Sequence, residues 1–266
     1  MNAVLRVIDT GLRPPRWNIA MTAALAELHG AGEISDTLRF QRFQPCVLVG
    51  RNQDIRREVW LDRCKQKGVT LARRVTGGGA VYMDAGILSW EIVAGRRRFG
   101  ADLVEAAEKI CTAVASGLAR LGVPAKFCPP NAIEAEGRKI SGASGYFEGA
   151  TLVYEGTVLV DFDPRDMAEV LRLPDAKGAA AFAHHVTSIA AILGRAPAVG
   201  DVQRVIGASI SNCFGFRIES EAPSDREMAL AEKLHAAEFG TDRFMLGEGP
   251  QEISREPSAH AARIPA

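Results

Sequence analysis

The sequence has 266 residues, of which 47% are hydrophobic and 24% are charged. This composition is that of an average folded protein and excludes a disordered or fibrous chain. The 32 basic residues are balanced by 32 acidic ones, so the overall charge does not predict binding to nucleic acid. No apolar run reaches the roughly 18 residues that a membrane span needs. The length predicts one large domain, with at most a small appendage.

Five cysteines are widely spaced, and no CxxC pair occurs among them. Their odd number and spacing argue against a disulfide framework and against a zinc site. We therefore expect no bound metal of that kind and a reducing, cytoplasmic compartment.

The first half of the chain alternates between helical and strand patterns. Asn18 is placed to cap the first helix and Gly30 to end it. In chain order, the pattern predicts a helix at 18–29, a buried strand at 46–50, a helix-compatible stretch at 56–67 and strands at 71–75, 79–83 and 86–94.

The second half begins with the clearest helix, a single apolar stripe over residues 101–121. It continues with a hairpin at 133–140, a β-rich segment at 151–162, and helices that start at Asp163, Val202 and the capping box Ser224–Glu227. Strands and helices are interspersed without a strict βαβ rhythm, which predicts an α+β fold with a mixed, largely antiparallel sheet flanked by helices. We expect a catalytic domain over 1–247 and a mobile tail over 248–266, too short for an accessory domain.

Three consecutive glycines at 77–79 are the part of the sequence that most clearly indicates a ligand-binding site. Glycines in succession let the backbone approach a ligand closely, and their exposed amides can cradle phosphate oxygens. The neighbouring stretch 51–74 holds eight basic and three acidic residues, and arginine offers fork-shaped donors to phosphate or carboxylate. The spacing matches neither a Walker loop nor a dinucleotide fingerprint. The candidate ligand-binding residues here are Arg73, Arg74, Gly77, Gly78, Gly79, Ala80, Val81 and Tyr82.

A second signal is Lys139, which precedes a Gly/Ser/Ala-rich turn at 141–145. Lysine is a compact, mobile point charge and suits a phosphate whose charge moves during a reaction. Taken alone, this lysine is more often an ordinary surface residue of a hairpin than a ligand-binding group.

Four segments together are far more specific than either signal alone: GRNQ at 50–53, ARRVTGGGAVYMD at 72–84, NAIEAEGRKISGAS at 131–144 and EGTVLVDFD at 155–163. Their order and spacing resemble the lipoate–protein ligase and octanoyltransferase family, relatives of the biotin–protein ligases. The resemblance extends from about residue 18 to about residue 240. It implies a catalytic domain of the biotin/lipoate protein ligase type and acyl transfer to a lysine of a lipoyl carrier domain or an H-protein-like acceptor.

The resemblance also implies roles for individual residues. In the family's ligases, lipoate and ATP form lipoyl-AMP with the help of Mg²⁺, and the carrier lysine then attacks this anhydride. Arg74 and residues 79–82 fall where the family binds ATP and the adenylate. Lys139 falls on the lysine that touches the acyl carbonyl and the phosphate, Asn131 on the asparagine before the hairpin, and Thr157 in the strand beside the acyl chain.

The sequence departs from the family at three positions. Met83 and Glu155 stand where the family commonly has histidines, and Thr22 stands where an acidic residue is usual. The family's larger ligases also carry a C-terminal accessory domain, for which the residues after Gly247 are too few. We therefore consider three possibilities: the protein acts alone, a separate accessory chain supplies that part, or the protein is not an ATP-dependent ligase.

We predict an ATP-dependent lipoate–protein ligase that uses lipoate or octanoate as its acyl substrate. One alternative is a cysteine-dependent octanoyltransferase with Cys128 as nucleophile, which would form a thioester and need no ATP. A free cysteine is more often a small buried hydrophobe. The other alternative is a non-catalytic binder of lipoate or of lipoyl domains, which would explain the lost histidines but not the intact glycine loop and Lys139.

Overall fold

A computed structural model of the chain describes residues 3–173 and 184–248. The strands are β1 Ala3–Arg13, β2 Thr37–Phe43, β3 Cys46–Val49, β4 Thr70–Arg73, β5 Val81–Met83, β6 Ile87–Gly95, β7 Ala125–Cys128, β8 Ala132–Ala135, β9 Arg138–Glu148, β10 Thr151–Leu159 and β11 Phe216–Ser220. The helices are α1 Pro15–Gly30, α2 Ile55–Glu58, α3 Leu61–Lys67, α4 Leu103–Ala119, α5 Pro164–Val170, α6 Ile189–Leu193, α7 Val199–Phe214, α8 Asp225–Leu234 and α9 Asp242–Leu246. A short 3₁₀ turn at Arg96–Arg98 and a π-helical turn at His235–Phe239 complete the described elements.

The main sheet has eight strands in the order β11-β1-β2-β6-β10-β9-β8-β7 within the described residues. β1 pairs in parallel with β11 and with β2, and the other neighbours are antiparallel. A second sheet of three strands has the order β4-β3-β5. The predicted α+β fold with a mixed, largely antiparallel sheet flanked by helices is confirmed.

The two faces of the main sheet are covered by different helices. α1 lies on one face, where it contacts β6, β10 and β2 and also packs against β4 of the small sheet and against α8. α4 and α7 pack against each other on the opposite face, where Leu38 lies next to Gly207 of α7. Because side chains alternate along a strand, Arg39 and Gln41 point to the α1 face of β2.

The first helix differs from its prediction. It begins at Pro15 rather than at a cap on Asn18, because proline fits the first turn, where its missing amide hydrogen is not needed. Asn18 therefore lies inside α1, fully buried, and its Nδ2 donates to the carbonyl oxygen of Arg42 at 2.9 Å. The residue predicted to cap the helix instead ties α1 to the end of β2.

Other local predictions hold. The β8–β9 hairpin turns at Glu136 and Gly137, with φ of +54° and +73°, as expected for a two-residue turn. The Ser224–Glu227 capping box is present at the start of α8. Glu227 also accepts two hydrogen bonds from the guanidinium of Arg6 in β1, so the same carboxylate fixes α8 to the sheet.

The catalytic domain predicted for 1–247 contains nearly all of the described residues, and most of the tail predicted at 248–266 lies outside them. Among the described helices, none is long and apolar enough to cross a membrane.

Candidate active site

The triple-glycine loop connects β4 to β5 of the small sheet. The side chain of Arg74 is hydrogen-bonded to its backbone. The buried guanidinium of Arg74 donates to the carbonyl oxygens of Leu48, Gly77 and Gly79 at 3.1, 2.7 and 2.8 Å. These bonds curl the loop around the side chain, so Arg74 shapes the predicted ligand-binding loop directly.

Arg73, the other predicted arginine, points away from the glycines. Its guanidinium is buried and donates at 2.8–3.2 Å to five backbone carbonyl oxygens, those of Gly50, Arg51, Gln53, Phe244 and Met245. Charge-assisted hydrogen bonds of this kind are about twice as strong as neutral ones. Arg73 thus fastens the 50–53 segment to α9.

The 50–53 segment lies against the glycine loop at very close range. A Cβ on Gly50 would be 2.0 Å from the carbonyl oxygen of Gly78, so no other residue fits there without moving the loop. Gly78 has φ of +96°, a conformation in which a side chain is strained. The conformation of the loop therefore depends on glycine at both positions.

Beyond the glycines, the chain enters β5, where it pairs with β3. Ala80 and Val81 are half-buried and Tyr82 is buried. Burial raises the pKa of the Tyr82 phenol to about 12, and the charge of Asp84 adds to this effect. Tyr82 therefore stays protonated at neutral pH.

A hydrogen-bonded chain links the loop to the main sheet. Thr76, just before the glycines, donates to the carboxylate of Glu155 on β10 and accepts from the hydroxyl of Ser144 on β9 at 3.0 Å. Burial raises the pKa of Glu155, and the nearby charge of Glu91 raises it further. Glu155, at one of the positions where the family has histidine, thus anchors the loop.

The other two departures, Met83 and Thr22, both lie in the protein interior. Met83 is buried in the core. Thr22 on α1 donates to Glu91 on β6 at 2.6 Å and accepts from Arg39 on β2 at 2.8 Å. Thr22 thus connects α1 to the Arg39–Glu91 ion pair of the sheet.

Lys139 lies at the start of β9, directly after the hairpin turn. A Cβ on Gly142 would be 3.0–3.1 Å from Cε and Nζ of Lys139, so the lysine folds back over a position that must remain glycine. Within the described residues its ammonium forms no hydrogen bond and no ion pair at 4.0 Å or less. Burial lowers the pKa of Lys139, although the nearby Cys128 and Glu134 act in the opposite direction.

Asn131 and Thr157 fix the backbone around this lysine. Asn131 donates through Nδ2 to the carbonyl oxygen of Ala143 at 2.6 Å, and the amide of Ala143 donates back to the carbonyl oxygen of Asn131 at 3.0 Å. The hydroxyl of Thr157 lies 3.5 Å from both the amide nitrogen and the carbonyl oxygen of Gly142. These two residues hold the turn on which Lys139 rests.

Cys128 ends β7 and is partly exposed. Burial, followed by a hydrogen bond to Glu134 and the charge of that residue, raises the pKa of the Cys128 thiol, whereas Lys126 and Lys139 lower it. The thiol is therefore held in its protonated form.

The structure brings the glycine loop and the Lys139 turn to the same face of the main sheet, joined by Thr76 and Ser144. Thr76, Ser144 and Gln53 were not predicted as site residues. Gln53 accepts from the Gly50 amide at 2.9 Å through its side-chain oxygen. The positions of Thr76 and Ser144 next to the glycines and to the turn after Lys139 could have suggested a role in the site. Only the tertiary structure shows that Thr76 and Ser144 are in contact.

No group of three or more His, Cys, Asp or Glu side chains that could hold a metal ion occurs in the part of the chain that the structure describes.

The site combines a glycine loop and a hairpin lysine on one face of a mixed sheet, and comparison with known proteins identifies the class of domain to which it belongs. The lipoyl protein ligase A/B catalytic domain family matches residues 14–211. The chain therefore belongs to this family of lipoate–protein ligases and octanoyltransferases.

Individual relatives include both types of enzyme. Octanoyltransferase LipM of Symbiobacterium thermophilum is 28% identical, over 90% of this chain and 97% of the relative. A bi-partite lipoate protein ligase from Thermoplasma acidophilum, solved together with its E2 lipoyl domain, has a TM-score of 0.83 and 25% identity, covering 95% of this chain and 99% of its own. A lipoate-protein ligase A bound with ATP has the same fold, with a TM-score of 0.80 and 24% identity over 93% and 99% of the two chains.

Proposed function

We propose that the protein is an ATP-dependent acyl ligase that activates lipoate or octanoate as an acyl-adenylate and transfers the acyl group to a lysine of a lipoyl carrier domain. The observation that carries this proposal is the ammonium of Lys139. It is half-buried, has no carboxylate partner among the described residues and rests over Gly142. A desolvated cation without a partner is unfavourable unless an anion completes the site.

The reaction has two balanced steps. A carboxylate oxygen of the acid attacks the α-phosphorus of ATP, and the bond to the β-phosphate breaks with release of pyrophosphate. The neutral amine of the carrier lysine then attacks the acyl carbonyl, and AMP leaves as the amide forms and a proton is lost. Mg²⁺ bound to the phosphates would neutralise part of the charge that opposes the first step.

Different residues of the chain would bind the phosphates and stabilise the transition state. Arg74, the hydrogen bond that Thr76 donates to Glu155 and the one that it accepts from Ser144 preorganise the glycine loop, whose amides would face the phosphates. Lys139 would lie between the acyl carbonyl and the α-phosphate, where negative charge develops in both steps. A cation at that point stabilises the transition state more than the separate substrates.

The state of Cys128 supports an adenylate route over a thioester route. A cysteine attacks as the thiolate, and here burial, followed by the hydrogen bond to Glu134 and the charge of that residue, raises the pKa of the Cys128 thiol. The acyl-adenylate is already activated, so no covalent enzyme intermediate is needed.

A second candidate is an octanoyltransferase that takes the acyl group from a thioester and does not use ATP. The relative named octanoyltransferase LipM favours it, because that protein matches this chain over 97% of its length. In this reading Cys128 is the nucleophile, and a donor carrier that displaced Glu134 would lower the pKa of the thiol beside Lys139.

The acceptor is proposed to be a lipoyl domain or an H-protein-like carrier. The bi-partite ligase of Thermoplasma acidophilum, which is described with its E2 lipoyl domain, supports this acceptor and a separate accessory chain.

The test is incubation of the purified protein with lipoate or octanoate, Mg²⁺ and α-labelled ATP, followed by separation of the labelled products. We expect labelled acyl-AMP from the wild type and from Lys126→Ala, an exposed lysine on the same hairpin system that serves as a matched control. Lys139→Ala should lose most of this product. If no acyl-AMP forms, with or without an acceptor and an accessory chain, the ligase assignment is wrong.

A further inference from the structure

The strand β11 forms one edge of the main sheet, and in the described part of the chain no strand pairs with its outer side. On its inner side it pairs in parallel with β1, and just beyond it the amide of Glu221 donates to the Val7 carbonyl oxygen at 2.9 Å. Backbone groups of alternate residues point to the same side of a strand. The amides and carbonyl groups of Phe216, Ile218 and Ser220 therefore point outward.

This edge lacks the usual protection against pairing with another chain. Natural edge strands are commonly blocked by lysine, proline or a bulge, whereas β11 contains neither lysine nor proline and pairs with β1 without a shift in register. Ile218, in the middle of β11, is 37% exposed. It borders a groove of about 410 Å³ between β11 and α7, where Gly200, Gly207 and Ala208 leave room for the side chains of a partner.

The charges of β11 fit a second copy of the same strand. Arg217 and Glu219 lie on either side of Ile218 and form an exposed ion pair at 2.5 Å. When two such strands run antiparallel about a two-fold axis at Ile218, Arg217 lies opposite the partner's Glu219, and Glu219 lies opposite the partner's Arg217. Opposite charges in directly paired positions stabilise an antiparallel pair. The same register places Ile218 against the partner's Ile218, which buries apolar surface at the axis.

The strand at the other edge of the main sheet lacks this property. β7, Ala125–Cys128, contains Lys126 as its one charged residue. No antiparallel pairing of β7 with itself can place a carboxylate of that strand opposite the lysine, and pairing about Lys126 would bring two like charges together. The self-complementary charge pattern is therefore specific to β11.

We propose that the protein forms a homodimer in which the β11 strands of two copies pair antiparallel about a two-fold axis at Ile218 and join the two main sheets into one. Phe216 then pairs with the partner's Ser220, and the outward backbone groups exchange about six hydrogen bonds across the interface. Such an interface uses the same surface on both copies and closes the assembly as a dimer.

The interface lies away from the candidate active site. Lys139 is on β9, which is separated from β11 by β1, β2, β6 and β10 in the order of the sheet. Five strand spacings correspond to about 24 Å. The inference is therefore independent of the proposed function, and failure of one leaves the other intact.

Sedimentation velocity of the full-length protein over a range of concentrations tests the inference. The wild type should show a reversible equilibrium between monomer and dimer. Arg217→Glu and Glu219→Arg should each raise the dissociation constant of the dimer by about tenfold or more, because each variant places like charges opposite one another at both ends of the pairing. Lys233→Glu, the same reversal of charge at an exposed position on α8, is the matched control and should dimerise as the wild type does.

An equimolar mixture of the Arg217→Glu and Glu219→Arg proteins tests the register itself. In the mixed dimer every acidic side chain at positions 217 and 219 faces a basic one, so the mixture should recover a dimer that neither variant forms well alone. Both positions are exposed, and the melting temperatures of the monomers should remain close to that of the wild type. Arg217→Asp and Glu219→Lys replace either variant that does not fold.

Three results would overturn the inference: a wild type that stays monomeric at every concentration, a dimer that resists both charge reversals, or a mixture that does not recover the dimer. Hydrogen exchange supplies an independent readout, since the amides of Ile218 and Ser220 should become protected only as the dimer forms. Protection of these amides in dilute, monomeric protein would show that another segment of the same chain covers the edge, and the homodimer would then be wrong.

Discussion

Replacement of Gly50 by alanine tests how the glycine loop is positioned. The added Cβ would lie 2.0 Å from the Gly78 carbonyl oxygen and 3.1 Å from its carbon, whereas ordinary contact begins at 3.4 Å. No side-chain rotation relieves this collision, because both groups are anchored to the backbone. The Gly50 carbonyl oxygen is held by Arg73 at 3.0 Å and its amide by Gln53 at 2.9 Å, so the glycine loop must move by about 1 Å or more.

Overpacking of this kind typically costs about 1–3 kcal/mol, and each kcal/mol shifts the melting temperature of a protein of this size by about 2–4 °C. We therefore expect Gly50→Ala to melt roughly 2–12 °C lower than the wild type while it remains folded at 25 °C. Because a 1 Å misplacement can cost about 100-fold in rate, acyl-AMP formation should fall far more than the folded fraction. Scanning calorimetry and the labelled-ATP assay measure the two effects separately.

Gly200→Ala is the matched control, since a Cβ at that position in α7 would meet nothing within 4 Å. It should leave the melting temperature unchanged or raise it slightly, because alanine favours a helix over glycine. If Gly50→Ala retains both wild-type stability and wild-type adenylation, the close approach of the two backbones does not position the loop, and our account of the site is wrong.

Three other substitutions have defined outcomes. Gly78→Val places a branched side chain at φ of +96°, 3.0 Å from Arg74 Nη2; nucleotide binding measured by titration should disappear in a protein with a native circular dichroism spectrum, and retained affinity would contradict the assignment of the loop. Lys139→Met should lower the adenylation rate by about 10²–10³. Because burial lowers the pKa of Lys139 below its ordinary 10.5, the charge opposes folding at neutral pH, so this variant should melt at a higher temperature at pH 7.5, with a gain that fades as the pH rises toward 10.5 and is absent above it. A lower melting temperature at pH 7.5 would mean that Lys139 has a structural role. Glu155→Gln should also raise the melting temperature at neutral pH. The pKa of this carboxyl is raised above 4.5, so its ionised form costs stability at neutral pH and the gain should vanish below pH 4.5; a gain that persists there would refute the pKa shift.

Elements with strong local signals could be predicted from the sequence. The apolar stripe of α4, the hairpin at Glu136 and Gly137 and the capping box at Ser224 are each specified by residues a few positions apart. The strand β1 was not predicted, because it is defined by long-range pairing with β2 and β11. The start of α1 was misplaced for a related reason, since Asn18 serves a tertiary contact rather than a local cap.

The candidate site likewise contains residues that local sequence patterns predict and residues that only long-range contacts bring together. The glycines and Lys139 can be recognised in the sequence because each belongs to a short local pattern. These patterns are three consecutive glycines and a lysine beside a turn of small residues. The link from Thr76 to Glu155 and Ser144 joins residues 79 and 68 positions apart, so no local pattern contains it.

Acyl transfer to a purified lipoyl domain, measured by mass spectrometry with and without ATP for the wild type and Cys128→Ala, tests the central proposal most directly. Cys213→Ala, at an exposed cysteine, is the matched control. We predict that modification from free acid requires ATP and that Cys128→Ala retains most of the wild-type activity. Transfer from an octanoyl-carrier thioester without ATP, together with an acyl-enzyme that is absent from Cys128→Ala, would contradict the ligase proposal and establish the octanoyltransferase in its place.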